Sequence, residues 1–305
     1  MAFLTFALGS MRDRLGRRFR ANMWPCLLSA TIVLAIGAWA IGREAGASAL
    51  LHQGAFAHAQ QRGQLIVGVP YVTPEAKAGA KIRTEERLDT ALAQQLGQEL
   101  QLPVHIVQID PQQHEAALAD GRVDVLLIDR EVTDSHRRKK DHPAEISTGY
   151  LARPKAVIRN DTTLRGWEDV KGLTVCMSQA AYQAQRLAEK QQVVVRTYAV
   201  PSDALVAVRE GQCDIGLIDD VMWTPLMAYP EWKSFSSTLK ASGPQVERVW
   251  VTNNDDVSTQ TWLAKTMGQW QRNGVIPAMT KKWARDIAFD VYLDQEVPDC
   301  HTGLP

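Results

Sequence analysis

The chain has 305 residues, 45% hydrophobic and 22% charged, the composition of an ordinary soluble globular protein able to bury a full core. Lysine plus arginine and aspartate plus glutamate are equal at 34 each, so no basic excess marks a nucleic-acid surface. Four cysteines without a CxxC pair speak against a disulfide scaffold and against a structural zinc site.

The first 60 residues differ from the rest. Arg12, Arg14, Arg17, Arg18 and Arg20 face a single acid, Asp13, and Met23 to Gly42 then carries no charge. A basic start followed by an apolar run is the pattern of an export signal. Ala57-His58-Ala59 offers a place for a signal peptidase. The uncharged run also suffices to span a bilayer as a retained anchor with its basic end in the cytoplasm. Both readings stand. Cys26 is not in a lipobox.

From Gln64 strands and helices alternate. Leu65 to Val69 is a short β-branched run and reads as a buried strand. Glu85 to Leu100 reads as a helix, with Leu88, Leu92, Leu96 and Leu100 on one face. Val104 to Ile109 is the next strand, His114 to Ala119 a helix ended by Gly121, and Val123 to Ile128 a strand. This order predicts a mainly parallel sheet covered by helices.

The segment from Ala117 to Asp129 is then echoed from Ala207 to Asp219. Each copy reads helix, Gly, Asp, apolar strand, Asp. A repeat of that spacing fits two similar lobes better than a solenoid. Each copy ends on an acid at the carboxyl end of a strand, where ligands of open α/β sheets bind. The second unit adds strands at Thr174 to Met177 and Val193 to Tyr198, and helices at Gln179 to Lys190 and Ser202 to Glu210. Arg248 to Thr252 reads as a strand returning to the first lobe, followed by helices at Thr259 to Asn273 and Met279 to Ile287.

Several of these stretches carry a family likeness. Leu65-Ile66-Val67-Gly68-Val69, Leu88-Asp89 with Ala91-Leu92-Ala93, the two Gly-x-x-Asp strands, Ile146-Ser147-Thr148-Gly149-Tyr150, Trp167 to Val175, and Gly274 to Trp283 follow one another in order. Together they resemble the family 3 extracellular solute-binding proteins of ABC importers, the polar-amino-acid-binding group. The resemblance implies an α/β, two-lobed periplasmic-binding-protein-like fold with two hinge crossings, near Pro154 to Arg159 and Val246 to Thr252. It divides the chain into a signal or anchor with linker (1–59), the first part of lobe 1 (60–155), lobe 2 (156–247), a return to lobe 1 (248–290) and a tail (291–305).

The resemblance also implies a ligand set. Asp219 falls on the family's ammonium-binding acid, with helix capping as its alternative role. The family's carboxylate-binding Arg is matched by His136, so Arg137 or Arg130 would have to serve. Gln179 and Ala181 stand at the helix start whose backbone N–H groups face a carboxylate, with Ser178 beside them. Asp129 either favours a cationic ligand or is neutralised by Arg130. Tyr71 and Tyr150 are candidate aromatic contacts or core residues. Cys176 and Cys213 match a pair that some family members bridge, which leaves Cys300 alone in the tail.

The expected partners are a small polar ligand, the membrane permease of an ABC importer and, if residues 23–42 are retained, the membrane. A monomeric protein of the periplasm is expected, without nucleic acid, metal or cofactor. No Gly-rich phosphate loop, GxSxG elbow or HExxH motif is present, so an enzyme is not expected. Two alternatives remain. One is a membrane-anchored sensor or accessory module. The other is a lyase similar to the cyclohexadienyl dehydratases, with Asp129, Glu131 or Asp219 as its acid.

Overall fold

The computed structural model describes residues 53–75, 83–84, 88–132, 145–236 and 239–293. The apolar run 23–42, the basic stretch that holds His136 and Arg137, and Cys300 lie outside them. Among the described residues no helix is long and apolar enough to cross a membrane.

The first described helix, α1 (Ala55–Arg62), ends at Gly63. Phe56, Ala57 and Ala59 are buried, and the Phe56 ring meets Trp262 edge-on at 5.1 Å. The stretch that reads as a peptidase site is thus part of the packed protein, and a cut after Ala59 would remove Phe56 from the core.

Lobe 1 continues with β1 (Leu65–Val69), α2 (Asp89–Leu100), β2 (Val104–Gln108), α3 (His114–Ala119), β3 (Val125–Glu131) and β4 (Glu145–Ala152). Lobe 2 follows with β5 (Pro154–Arg159), β6 (Thr174–Ser178), α4 (Tyr182–Gln191), β7 (Val194–Tyr198), α5 (Pro201–Arg209), β8 (Ile215–Asp219), α6 (Asp220–Met227) and β9 (Phe235–Ser236). β10 (Val246–Val251), α7 (Val257–Arg272) and α8 (Val275–Leu293) complete the chain.

The two sheets have the same plan. Their orders are β2-β1-β3-β10-β4 and β7-β6-β8-β5-β9. In each, three neighbouring strands run parallel and two more add antiparallel. The sheets are therefore mixed rather than mainly parallel. The antiparallel pairings come from the crossings: β4 runs into β5, and β10 returns to insert between β3 and β4.

The internal repeat has a structural meaning in both lobes. Gly121 and Gly211 turn the chain at φ 67 and φ 75, a left-handed conformation that suits glycine. The Asp after each turn then clamps the start of the first parallel strand. Asp124 donates its N–H to the Ile66 carbonyl at 2.9 Å and accepts the Ile66 N–H on Oδ2 at 2.7 Å. Asp214 does the same with Thr174, at 2.9 Å and 2.8 Å. Asp124→Ala or Asp214→Ala leaves a backbone donor without its partner. Each is expected to cost about 1–3 kcal/mol, measured by urea unfolding.

Two features tie the second lobe. Cys176 on β6 and Cys213 before β8 are disulfide-bonded, with Cα atoms 5.9 Å apart and a sequence separation of 37. Closing a loop of that length contributes roughly 3–4 kcal/mol in the chain-entropy account. The last helix is the other tie. The family resemblance returns residues 248–290 to lobe 1, yet α8 carries Ala284, Ile287, Ala288 and Val291 into the core that holds Leu205, Met222, Leu226 and Trp232. Its Asp290 also accepts the Thr84 N–H at 2.6 Å, so α8 touches both lobes.

Candidate ligand-binding site

A cavity lies where the two repeats present their strand ends. It is lined by Asp129, Val246 and Arg248 of lobe 1, by Ser178, Ala180, Ala181, Leu217, Asp219 and Met222 of lobe 2, and by Trp283 and Ile287 of α8. Apart from two acids, one guanidinium and Ser178, these groups are apolar, the usual make-up of a small-molecule site.

Asp219 ends β8 and precedes α6, yet its side chain makes no capping bond to that helix. Its Oδ2 instead accepts the Tyr150 hydroxyl at 2.5 Å. The capping reading is thereby replaced by one in which the carboxylate faces the cleft. Its neighbour Asp220 does different work: Oδ1 accepts the Arg153 N–H at 2.9 Å, pinning the crossing between β4 and β5.

Arg248 is the residue that sequence reasoning missed. It is 3% exposed and sits directly opposite Asp129 on the neighbouring strand. Its Nε lies 3.2 Å from Asp129 Oδ1, and its Nη1 3.2 Å from Asp89 Oδ1 at the start of α2. Its guanidinium carbon stands 4.8 Å above the centre of the Tyr150 ring, a cation–π distance. Burial works against its charge, but Asp89 and Asp129, aided by Tyr150 and Asp219, outweigh that and push its pKa up. Asp129 is therefore neutralised by Arg248 and not by Arg130, which forms a two-pronged pair with Glu145.

The other expected site residues are dispersed. Arg130 does not line the cavity. Arg137 lies outside the described residues. Ala181 lines the cavity, but its N–H is given to the Ser178 carbonyl at 3.0 Å. The Ala180 N–H goes to Ser178 Oγ at 3.2 Å, so this helix start spends two of its donors locally. Gln179 is exposed and gives its N–H to the Tyr198 carbonyl at 2.7 Å. Tyr71 does not line the cavity; its hydroxyl donates to the Ala199 carbonyl of lobe 2 at 3.2 Å. Tyr150 is buried at 3% exposure and does not itself line the cavity; it reaches it only through Asp219.

Burial lifts the Tyr150 hydroxyl well above the usual phenol range, and the Asp219 charge adds to this while Arg248 opposes it. A group with a raised folded pKa adds stability that is present below the unfolded value, near 10.0 here, and is lost as pH rises through the folded value. Stability should thus fall between about pH 9 and about pH 11 more steeply in the native protein than in Tyr150→Phe. Urea midpoints across that range test it, and parallel curves would refute it.

Two lobes of one plan, joined by antiparallel crossings around a lined cleft, define a two-lobed α/β binding-protein fold. Residues 86–286 match the bacterial extracellular solute-binding proteins, family 3, and the chain belongs to that family. No curated protein gives a match. Among solved structures, a mutant of ArgBP from T. maritima is 17% identical, with a TM-score of 0.52, covering 75% of this chain and 98% of the other. An amino acid ABC transporter substrate-binding protein from Streptococcus pneumoniae, bound to L-arginine, is 15% identical with a TM-score of 0.53, covering 76% and 98%. An ancestral amino-acid-binding protein described as a precursor of cyclohexadienyl dehydratase is 19% identical with a TM-score of 0.50, covering 75% and 98%. At these identities the likeness is one of fold.

Proposed function

We propose that this protein captures a small polar, amino-acid-like ligand between its lobes, outside the cytoplasm, and presents it to the membrane permease of an ABC importer. It binds its ligand without transforming it. The observation that carries this reading is the placement of Asp219. A carboxylate at the carboxyl end of a strand, turned into the cleft and away from its own helix, suits a ligand ammonium. Arg248 holds Asp129 on the opposite lobe. A ligand that contacts both strand ends favours the closed state by its differential contacts. The basic and apolar N-terminal segment supplies the export signal or anchor, and the periplasm is the expected compartment.

The test is calorimetric titration of the full-length protein with the common amino acids, polyamines, small organic acids and prephenate. Saturable one-to-one binding of an amino acid or amine supports the reading. Turnover of prephenate would replace it with a lyase. Folded protein that binds none of them would sink it.

A further inference from the structure

The two crossings are joined by an irregularity that the binding role alone does not require. Along β10, Glu247 pairs with Leu151 and Val249 with Ser147. The single residue Arg248 therefore faces the whole stretch Thr148 to Tyr150, a bulge in β4. Bulges re-aim side chains, and this one is well fixed. Gly149 takes φ 86, Thr148 Oγ1 donates to the Arg248 carbonyl at 2.8 Å, and the Tyr150 N–H returns to Thr148 Oγ1 at 3.1 Å. The bulge places the Tyr150 ring under the guanidinium of Arg248, at 4.8 Å, and its hydroxyl on Asp219 of the other lobe, at 2.5 Å.

Other bonds also cross between the lobes: Arg186 to Glu131 at 2.8 Å, Arg83 to Asp203 at 3.0 Å, and Tyr71 to Ala199 at 3.2 Å. The two ion pairs each include a side chain more than a third exposed, and exposed ion pairs hold little. The Tyr150–Asp219 bond has a buried donor, Tyr150 at 3% exposure, a half-buried carboxylate and a charged acceptor. Charge-assisted bonds in buried surroundings are the strong ones.

We propose that Tyr150 and Arg248 set ligand affinity from behind Asp219: the Tyr150 hydroxyl docks the ligand-reading carboxylate of lobe 2 onto lobe 1, and Arg248 is the positioning residue that holds the phenol in place. Asp219's part in ligand binding rests on the function proposed above; the hold on lobe closure does not. A ligand binding the closed state is penalised by the fraction of protein that must first close. Removing the hydroxyl lowers that fraction for all ligands alike, whatever their side chain.

The test uses the full-length protein with Cys26→Ser and Cys300→Ser, spin-labelled at Glu115→Cys on lobe 1 and Lys190→Cys on lobe 2. The distance between labels is measured without ligand, and affinity for L-arginine and L-glutamine is measured in parallel. Tyr150→Phe keeps the ring over Arg248. It should shift the closed-to-open ratio towards open by about tenfold and weaken every ligand that binds by that same factor. Arg248→Lys keeps a cation between Asp89 and Asp129 but loses the planar stack, and should shift the ratio in the same direction by less. An unchanged label distance in Tyr150→Phe overturns the proposal. So does a change in affinity confined to one ligand, because the hydroxyl would then be a direct contact. An Arg248→Lys protein as closed as the native one removes Arg248 from it. If none of the ligands in the calorimetric titration above binds the native protein while Tyr150→Phe still opens it, the hold on closure stands and the proposed function fails.

Discussion

Arg248→Met is expected to lower the unfolding free energy by about 3–5 kcal/mol, the usual loss when one partner of a buried ion pair is removed. The cause is not the lost packing, since methionine fills much of the same volume. Asp89 and the half-buried Asp129 would remain, at 3.2 Å from where the guanidinium stood, with the cation that balances them gone. The Tyr150 ring would also lose the charge above it. Urea unfolding measures the loss. Adding Asp89→Asn and Asp129→Asn to Arg248→Met should recover part of it, because the amides need no counter-charge and the three side chains act as one unit. Independent, additive losses from the three substitutions would show that the cluster is not coupled.

That cluster was the least legible part of the sequence, for a physical reason. Val-Glu-Arg-Val-Trp-Val from Val246 reads as an apolar strand with two charges in it. Alternation says that adjacent residues point to opposite faces, but not which face is buried, and the bulge in β4 alters what Arg248 meets. Its partner Asp89 looks like an ordinary acid in the first turn of a helix. Nothing local links two residues so far apart in the chain. The Gly-x-x-Asp repeat was legible because its chemistry is local: a left-handed turn, a clamp on the next strand, then a buried run. The place of Asp219 at the end of β8 was legible by the same logic, as the acid at the end of that run. The hinge strands β4 and β5 and helix α6 carry no clear pattern, and α6 holds an internal Pro225, a residue that argues against a helix. Helix α8 runs from Val275 to Leu293, beyond the Met279 to Ile287 that its pattern marks. Pro277 falls in its first turn, where proline is tolerated. Its far end is apolar on one face because it packs into lobe 2, a contact that periodicity cannot assign to a lobe.

Asp219→Ala is expected to weaken ligand binding by on the order of hundredfold or more, the scale for removing one partner of a buried charged contact. Two effects combine. The ligand's cation loses its acceptor, and the Tyr150 hydroxyl loses the partner it meets at 2.5 Å. Asp219→Asn separates them, since an amide oxygen still accepts the hydroxyl but carries no charge. It should lose most of the affinity while opening the lobes less than Asp219→Ala does, because a neutral acceptor keeps part of the bond. Asp220→Ala is the control. That acid is the next residue in the chain but holds the Arg153 N–H at the crossing, so its loss should loosen the hinge and cost far less affinity. Titration of the ligand identified in the binding screen reads all three. If Asp220→Ala were the more damaging change, the cation site would have to be moved to the hinge, and the repeat's terminal acid would be left with a structural role in lobe 2 as it has in lobe 1, where Asp129 is spent on Arg248.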